Sequence, residues 1–449
     1  MTGIHFIPTF LQTSWVEVLS GVIIAVTFPL IAGYNVFAER KFMEHLQGNP
    51  DQKRACPEAT TQPLSKATKF FSSKGTIPEN ADKLLFWLAP LLSYAAASVA
   101  IGVLAFGPAF QVARDINIGL LFAVGVSSLG ILGIILGACA VPDTASILAA
   151  MRTTARLVSC QTAATLALVS GVLLAGTLKI RAIVDAQQHQ TVWFVFLAPV
   201  SFLLYVVAPL AETNRAPYVL SEADSRQGID RVPEVCGRRC TLYSLAEFAN
   251  RALIAGLATT VFLGGWLRPF PNVHWLRALD FVPPLLMALA AVYYVRRAGK
   301  QSVRASMIFM YSKTFACLVA AIVLVAPLVI TSLRFLQPAT HGAFWFLAKL
   351  ITFLFFFTSL RFTLPRYRFE NLMHFAWRFL IPFAVSNIFF VTVAMVLVSE
   401  YHWNQWLANL LTTVTTLVAG RLLWRLHEKR DAPVISNSTS TIAADSYAG

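Results

Sequence analysis

Apolar runs long enough to cross a lipid bilayer recur along the whole chain, and nothing else limits its fold so tightly. They fall at 15–37, 84–106, 118–141, 159–178, 192–212, 251–267, 279–296, 314–333, 343–361, 379–399 and 405–425. A helix needs about 20 apolar residues to span the hydrocarbon core. Backbone polar groups in lipid must be satisfied within the segment, which a helix does. The sixth run is short and draws on the amphipathic stretch before it. With 57% hydrophobic and 13% charged residues and a mean hydropathy of +0.63, the chain lies far from soluble domains, which average about 25% charged. The expected fold is all-α: a polytopic integral membrane bundle of about 11 transmembrane helices.

The basic residues orient it. Of 36 Lys and Arg, 29 lie on the alternate loops and terminus 39–83, 142–158, 213–252, 296–313, 361–378 and 421–449. The opposite side holds Arg114, Lys179, Arg181, Arg268, Arg277, Arg334 and Lys349. By the positive-inside rule the N-terminus is outside and the C-terminus cytoplasmic, which requires an odd number of spans. The net charge of +14 thus reads as loop orientation and contact with anionic lipid, not nucleic acid. Arg40 and Lys41 follow the first apolar run instead of preceding it, so no cleavable signal peptide is expected. Six cysteines are scattered, and Cys56, Cys236 and Cys240 fall on the reducing side, so no disulfide framework is implied. Residues 1–430 are expected to form one membrane domain with cytoplasmic loops 39–83 and 213–252. The small, polar tail 431–449 has nothing to bury and is expected to be disordered.

Three polar clusters sit at cytoplasmic ends of spans. AERKF (38–42) brings Glu39, Arg40 and Lys41. AETNRAPYVLSEADS (211–225) brings Glu212, Arg215, Glu222 and Asp224. RFTLPRYRFENLM (361–373) brings Arg361, Arg366, Arg368 and Glu370. Each cluster can be an interfacial anchor whose basic stems snorkel to headgroups. Each can equally be part of a working surface, because an acid such as Glu212 costs a few kcal/mol if it faces lipid. Glu247 has the same two readings: a surface pair with Arg251 at i+4, or a buried carboxylate that titrates. Cys236 and Cys240 are spaced C-x3-C without a second Cys/His pair, no HExxH occurs, and no glycine loop cradles a phosphate. No metal, nucleotide or flavin site is expected, so any redox cofactor belongs to a partner.

With these clusters stand VSSLGILGIILG (126–137), LAEFANRALIAGLATTVFLGGW (245–266) and FWFLAKLITFLFFF (344–357). In this order they resemble the H-type membrane subunit of bacterial NADH:quinone oxidoreductase, respiratory complex I. The resemblance implies a subunit of the bacterial inner membrane that makes no bond itself and binds no cofactor. Its cytoplasmic loops help to enclose a chamber where quinone is reduced by an iron–sulfur cluster of a peripheral partner, FMN residing in another. Further partners would be the antiporter-like membrane subunits and lipid. It also implies roles: Arg40, Arg152, Arg215, Glu222 and Asp224 lining or charge-balancing the chamber, and Glu39, Glu212 and Glu247 coupling quinone reduction to proton movement. Arg361, Arg366, Arg368 and Glu370 would dock the peripheral arm.

Departures from the family pattern bear on that coupling. HLQGNPDQKRACPEATTQP replaces a GPNRVGP-type run, and Lys66 stands where Asp is expected. Ser159, Cys160 and Gln161 replace Ser-Tyr-Glu, so one carboxylate has become an amide that does not titrate. Val219 and Arg226 replace an Asp and a Glu. Residues 268–342 carry about two spans beyond the family core of about eight, and 405–425 adds another. The competing readings are the equivalent subunit of a membrane-bound hydrogenase or other non-NADH dehydrogenase, a structural anchor that has lost coupling, and an independent secondary transporter. The last lacks the internal repeats that such folds carry.

Overall fold

The computed structural model describes residues 81–104, 107, 116–141, 144–190, 192–212, 237–268, 337–363, 373–401, 410–422 and 425. Among them every regular element is helical. The helices are α1 (Lys83–Gly102), α2 (Gly119–Cys139), α3 (Thr144–Ala175), α4 (Ile180–Gln190), α5 (Phe194–Leu197), α6 (Pro199–Glu212), α7 (Gly237–Val261) and α8 (Gln337–Thr363). A π-helical turn, Ala376–Leu380, then leads into α9 (Ile381–Tyr401), and α10 is Leu410–Leu422. Lys83–Gly102, Gly119–Cys139, Ile147–Ala175 and Met373–Glu400 are long and apolar enough to cross a membrane. Pro199–Pro209, Gly342–Phe357 and Leu410–Leu422 are shorter apolar helices. The expected spans 15–37, 279–296 and 314–333, and the tail 431–449, lie outside the described residues.

Two boundaries differ from the sequence reading. The segment 192–212 is not one helix: it breaks at Ala198 (φ −133°, ψ 65°). Pro199 is the cause, since a residue before proline is pushed out of the α region. The helix of the third expected loop and fourth span is continuous from Thr144, so the basic residues of 142–158 sit on helical turns of α3.

Small residues let the helices approach closely. On α2, a Cβ at Gly133 would overlap the Ser93 Oγ of α1 and lie 2.7 Å from Ala89 O. Ser93 Oγ donates to Gly130 O at 3.0 Å, and Tyr243 of α7 donates to Gly133 O at 3.1 Å. This is the small-residue packing that replaces the hydrophobic drive in lipid. Buried polar pairs serve the same end, as where Asn387 Nδ2 of α9 donates to Ser201 Oγ of α6 at 2.7 Å. The side chains of Leu91, Leu121, Ile351, Val385, Phe389 and Val414 stand exposed on the outside of the bundle, as a lipid-facing surface requires.

The FLGGW segment ends α7, and its carbonyls are accounted for almost residue by residue. Phe262 N–H donates to Ala258 O and Gly265 N–H to Thr259 O, at 3.0 and 2.7 Å. Gln187 Nε2, from α4, donates to both Thr260 O and Val261 O at 3.0 Å. Val195 N–H donates to Phe262 O at 3.1 Å. The chain reverses only because Gly264 and Gly265 adopt φ of +73° and +50°. A Cβ at Gly264 would lie 2.9 Å from Trp193 Nε1, and one at Gly265 2.8 Å from Val184 Cγ2. Replacing Gly264 by Ala therefore combines left-handed strain, about 1–2 kcal/mol, with displacement of a packed indole. The expected result is reduced thermal stability of the assembled subunit, measured by heating membranes and following its retention.

Candidate functional site

Helices α3 and α7 bring an arginine and a glutamate near each other within the bundle. Arg156, on α3, is only 7% exposed. Its guanidinium interacts electrostatically with Cys160, one turn on, and with Glu247 of α7. Arg251 lies over the Phe248 ring, 5.8 Å from its centroid. A buried cation that loses a compensating carboxylate is left uncompensated, which is costly.

The three residues Ser159, Cys160 and Gln161 face different ways from one turn of α3. Ser159 is buried. Its hydroxyl donates to Ala155 O at 2.6 Å and accepts the indole N–H of Trp377 at 3.0 Å. Trp377 belongs to the π-helical turn before α9, a form of local widening that changes which side chains point inward. Cys160 is buried. Gln161 reaches α2, where Nε2 donates to Ser127 Oγ at 3.0 Å and to Val124 O at 3.3 Å. Ser127 itself donates to Val124 O at 2.8 Å. One turn of α3 is thereby tied to α2 through Gln161 and to the entry of α9 through Ser159.

Arg152, read from sequence as a charge-balancing residue, lies on an exposed face of α3. Arg156, four residues later, is the buried arginine, and the sequence reading did not single it out. A signal was present: Arg156 shares its face with Ser159, Ala163, Ala167 and Ser170, all buried and small, at the i+3 and i+4 spacing of a packed helix face. Glu212 and Arg361 lie on the last turns of α6 and α8. Glu39, Arg40, Arg215, Glu222, Asp224, Arg366, Arg368 and Glu370 lie outside the described residues. The other residue missed is Lys349, counted above with the loops of the opposite side. It sits inside α8, with its ammonium on the end of α7.

These features define a helical membrane protein, with four described helices long and apolar enough to cross a bilayer and a buried arginine within electrostatic range of a glutamate from a second helix. The family model described as NADH dehydrogenase matches residues 19–392. The second H-type subunit of the NADH-quinone oxidoreductase of Solibacter usitatus is 37% identical over 379 residues, covering 83% of this chain and 95% of the relative. The first H-type subunit of the Koribacter versatilis enzyme is 33% identical over 377 residues, covering 80% and 86%. The H-type subunit of the Thermomicrobium roseum enzyme is 29% identical over 374 residues, covering 80% and 89%. The chain belongs to the NADH dehydrogenase family, as a divergent member of its H-type membrane subunits.

Proposed function

We propose that this chain is a membrane subunit of a proton-translocating NADH:quinone oxidoreductase that helps to form the quinone-reduction chamber and links quinone reduction to proton movement. The observation that supports this most directly is the match to the H-type NADH-quinone oxidoreductase subunits over most of the chain, and the buried Arg156, within electrostatic range of Glu247, adds a charged site inside the bundle. A chain that only anchors others has little use for a buried guanidinium, which costs several kcal/mol to desolvate unless it is compensated. The three relatives named above carry the NADH-quinone oxidoreductase name, which favours this reading over the hydrogenase-type subunit.

In this reading the chain holds no redox group. Electrons pass from FMN through iron–sulfur clusters in peripheral partner subunits to a quinone drawn from the membrane. This chain supplies the charged wall: Arg40, Arg152, Arg215, Glu222 and Asp224 at the chamber, with Glu39, Glu212 and Glu247 as groups that respond to the quinone's charge. Arg361, Arg366, Arg368 and Glu370 dock the peripheral arm. The chain crosses the bacterial inner membrane with its N-terminus outside and C-terminus cytoplasmic, beside the antiporter-like subunits. Residues 268–342 form an insertion carrying two of its spans.

Glu212→Gln tests the coupling role, with quinone reduction and the proton gradient assayed separately in membranes. The expected result is retained reduction with a lost gradient. An unchanged gradient returns Glu212 to the role of interfacial anchor. The second reading, an anchor without coupling, draws support from Gln161, whose amide is committed to hydrogen bonds with α2.

A further inference from the structure

Lys349 is the single charge in the apolar stretch Gly342–Phe357 of α8. A cation at that depth faces protein or water, not hydrocarbon. Its Nζ donates to Leu263 O at 2.6 Å, Gly265 O at 3.1 Å and Leu267 O at 2.6 Å. It also lies 4.6 Å from the centroid of the Trp193 ring, within cation–π range. An ammonium has three N–H groups and no acceptor, so the three carbonyls match its whole donor set. They follow the C-terminal end of α7, where the helix dipole favours positive charge. The carbonyls just before them are already held by Gln187 and by Val195 N–H. Main chain and indole thus form a cation site, and the cation is the protein's own.

We infer that Lys349 is a positioning residue: a tethered cation that fills a three-carbonyl cage and fixes the end of α7 against the middle of α8. The register matters because α7 carries Glu247 and α8 leads to Arg361. Its part in the reaction rests on the function proposed above, whereas the cage itself does not.

The test uses the assembled complex. Lys349→Ala removes the four terminal atoms of the side chain, and n-propylammonium replaces them. Amide hydrogen exchange across Phe262–Leu267 should accelerate at least roughly tenfold in K349A, through local opening of the turn. Quinone reduction should fall by roughly tenfold as α7 loses its register. Propylammonium should restore both, whereas n-propanol, of like shape but neutral, and tetramethylammonium, which has no N–H, should restore neither. Lys349→Met with native exchange and native rate overturns the inference, because a bulky apolar side chain then suffices. Faster exchange with an unchanged rate keeps the cage and overturns its part in the reaction. If K349A and K349M do not accumulate, Lys349→Gln, neutral with two donors, is scored the same way, and native exchange there overturns the cage.

Discussion

Glu247→Gln is expected to destabilise the subunit by about 0.5–3 kcal/mol, the range for coupled neighbours, because the buried Arg156 loses the nearby carboxylate charge. Arg156→Met should cost less. The asymmetry comes from burial: a guanidinium keeps its proton, so Arg156, only 7% exposed, would stay a buried cation without the carboxylate. Glu247 is half-buried, so its charge is less costly to leave alone. Combining the two changes removes both charges and should recover most of the loss, an interaction energy of about 1–3 kcal/mol by double-mutant cycle. The cycle is read from the thermal stability of the complex and the amount of the chain retained in membranes. Strict additivity would mean that Glu247 does not rely on Arg156. A large interaction energy shows that the two charges rely on each other across α3 and α7.

The sequence made some levels of this structure legible and hid others, for physical reasons. Spans 84–106 and 118–141 agree closely with α1 and α2, because an uninterrupted apolar run between polar loops has few alternatives in lipid. The glycines of VSSLGILGIILG and FLGGW took their meaning only from the structure: one set allows α2 to touch α1, the other makes the turn after α7. Hydropathy could not show that 192–212 breaks at Ala198, since the break changes backbone direction without changing polarity. It also missed α4 (Ile180–Gln190), which is amphipathic and too short for a span. Charge counting failed at single residues for a different reason. It treats each Lys or Arg as a loop marker, so it placed Lys349 among the outer loops and passed over Arg156, both of which point into the protein. Burial of a charge is decided by neighbours brought in from distant segments, here Leu263–Leu267 for one and Glu247 for the other.

Gln161→Glu, which restores the acid expected from the family pattern, is predicted to weaken the fold without raising the proton yield. Gln161 meets α2 as a donor, and both groups it faces are engaged as acceptors: Ser127 Oγ at 3.0 Å and Val124 O at 3.3 Å. An ionised carboxylate has no proton to offer. Ser127 could turn its hydroxyl toward the new acid, but it would then release Val124 O, to which it now donates at 2.8 Å. The carboxylate would still face that carbonyl oxygen. A protonated carboxyl fits better, with one O–H in place of the amide's two N–H groups, and loses one hydrogen bond. The expected cost is about 1–3 kcal/mol for an unmade bond at a part-buried site, larger if the acid ionises. Gln161→Ala, which removes the tie but adds no acceptor clash, should cost less than the acid. Protons translocated per electron pair, measured in membranes, should stay at the native value in the Gln161→Glu variant. A rise would show that the amide had been limiting coupling, and that the route through α2 and α3 works once a titratable group is returned to it. No rise, together with lowered stability, means that α3 spends this position on holding α2.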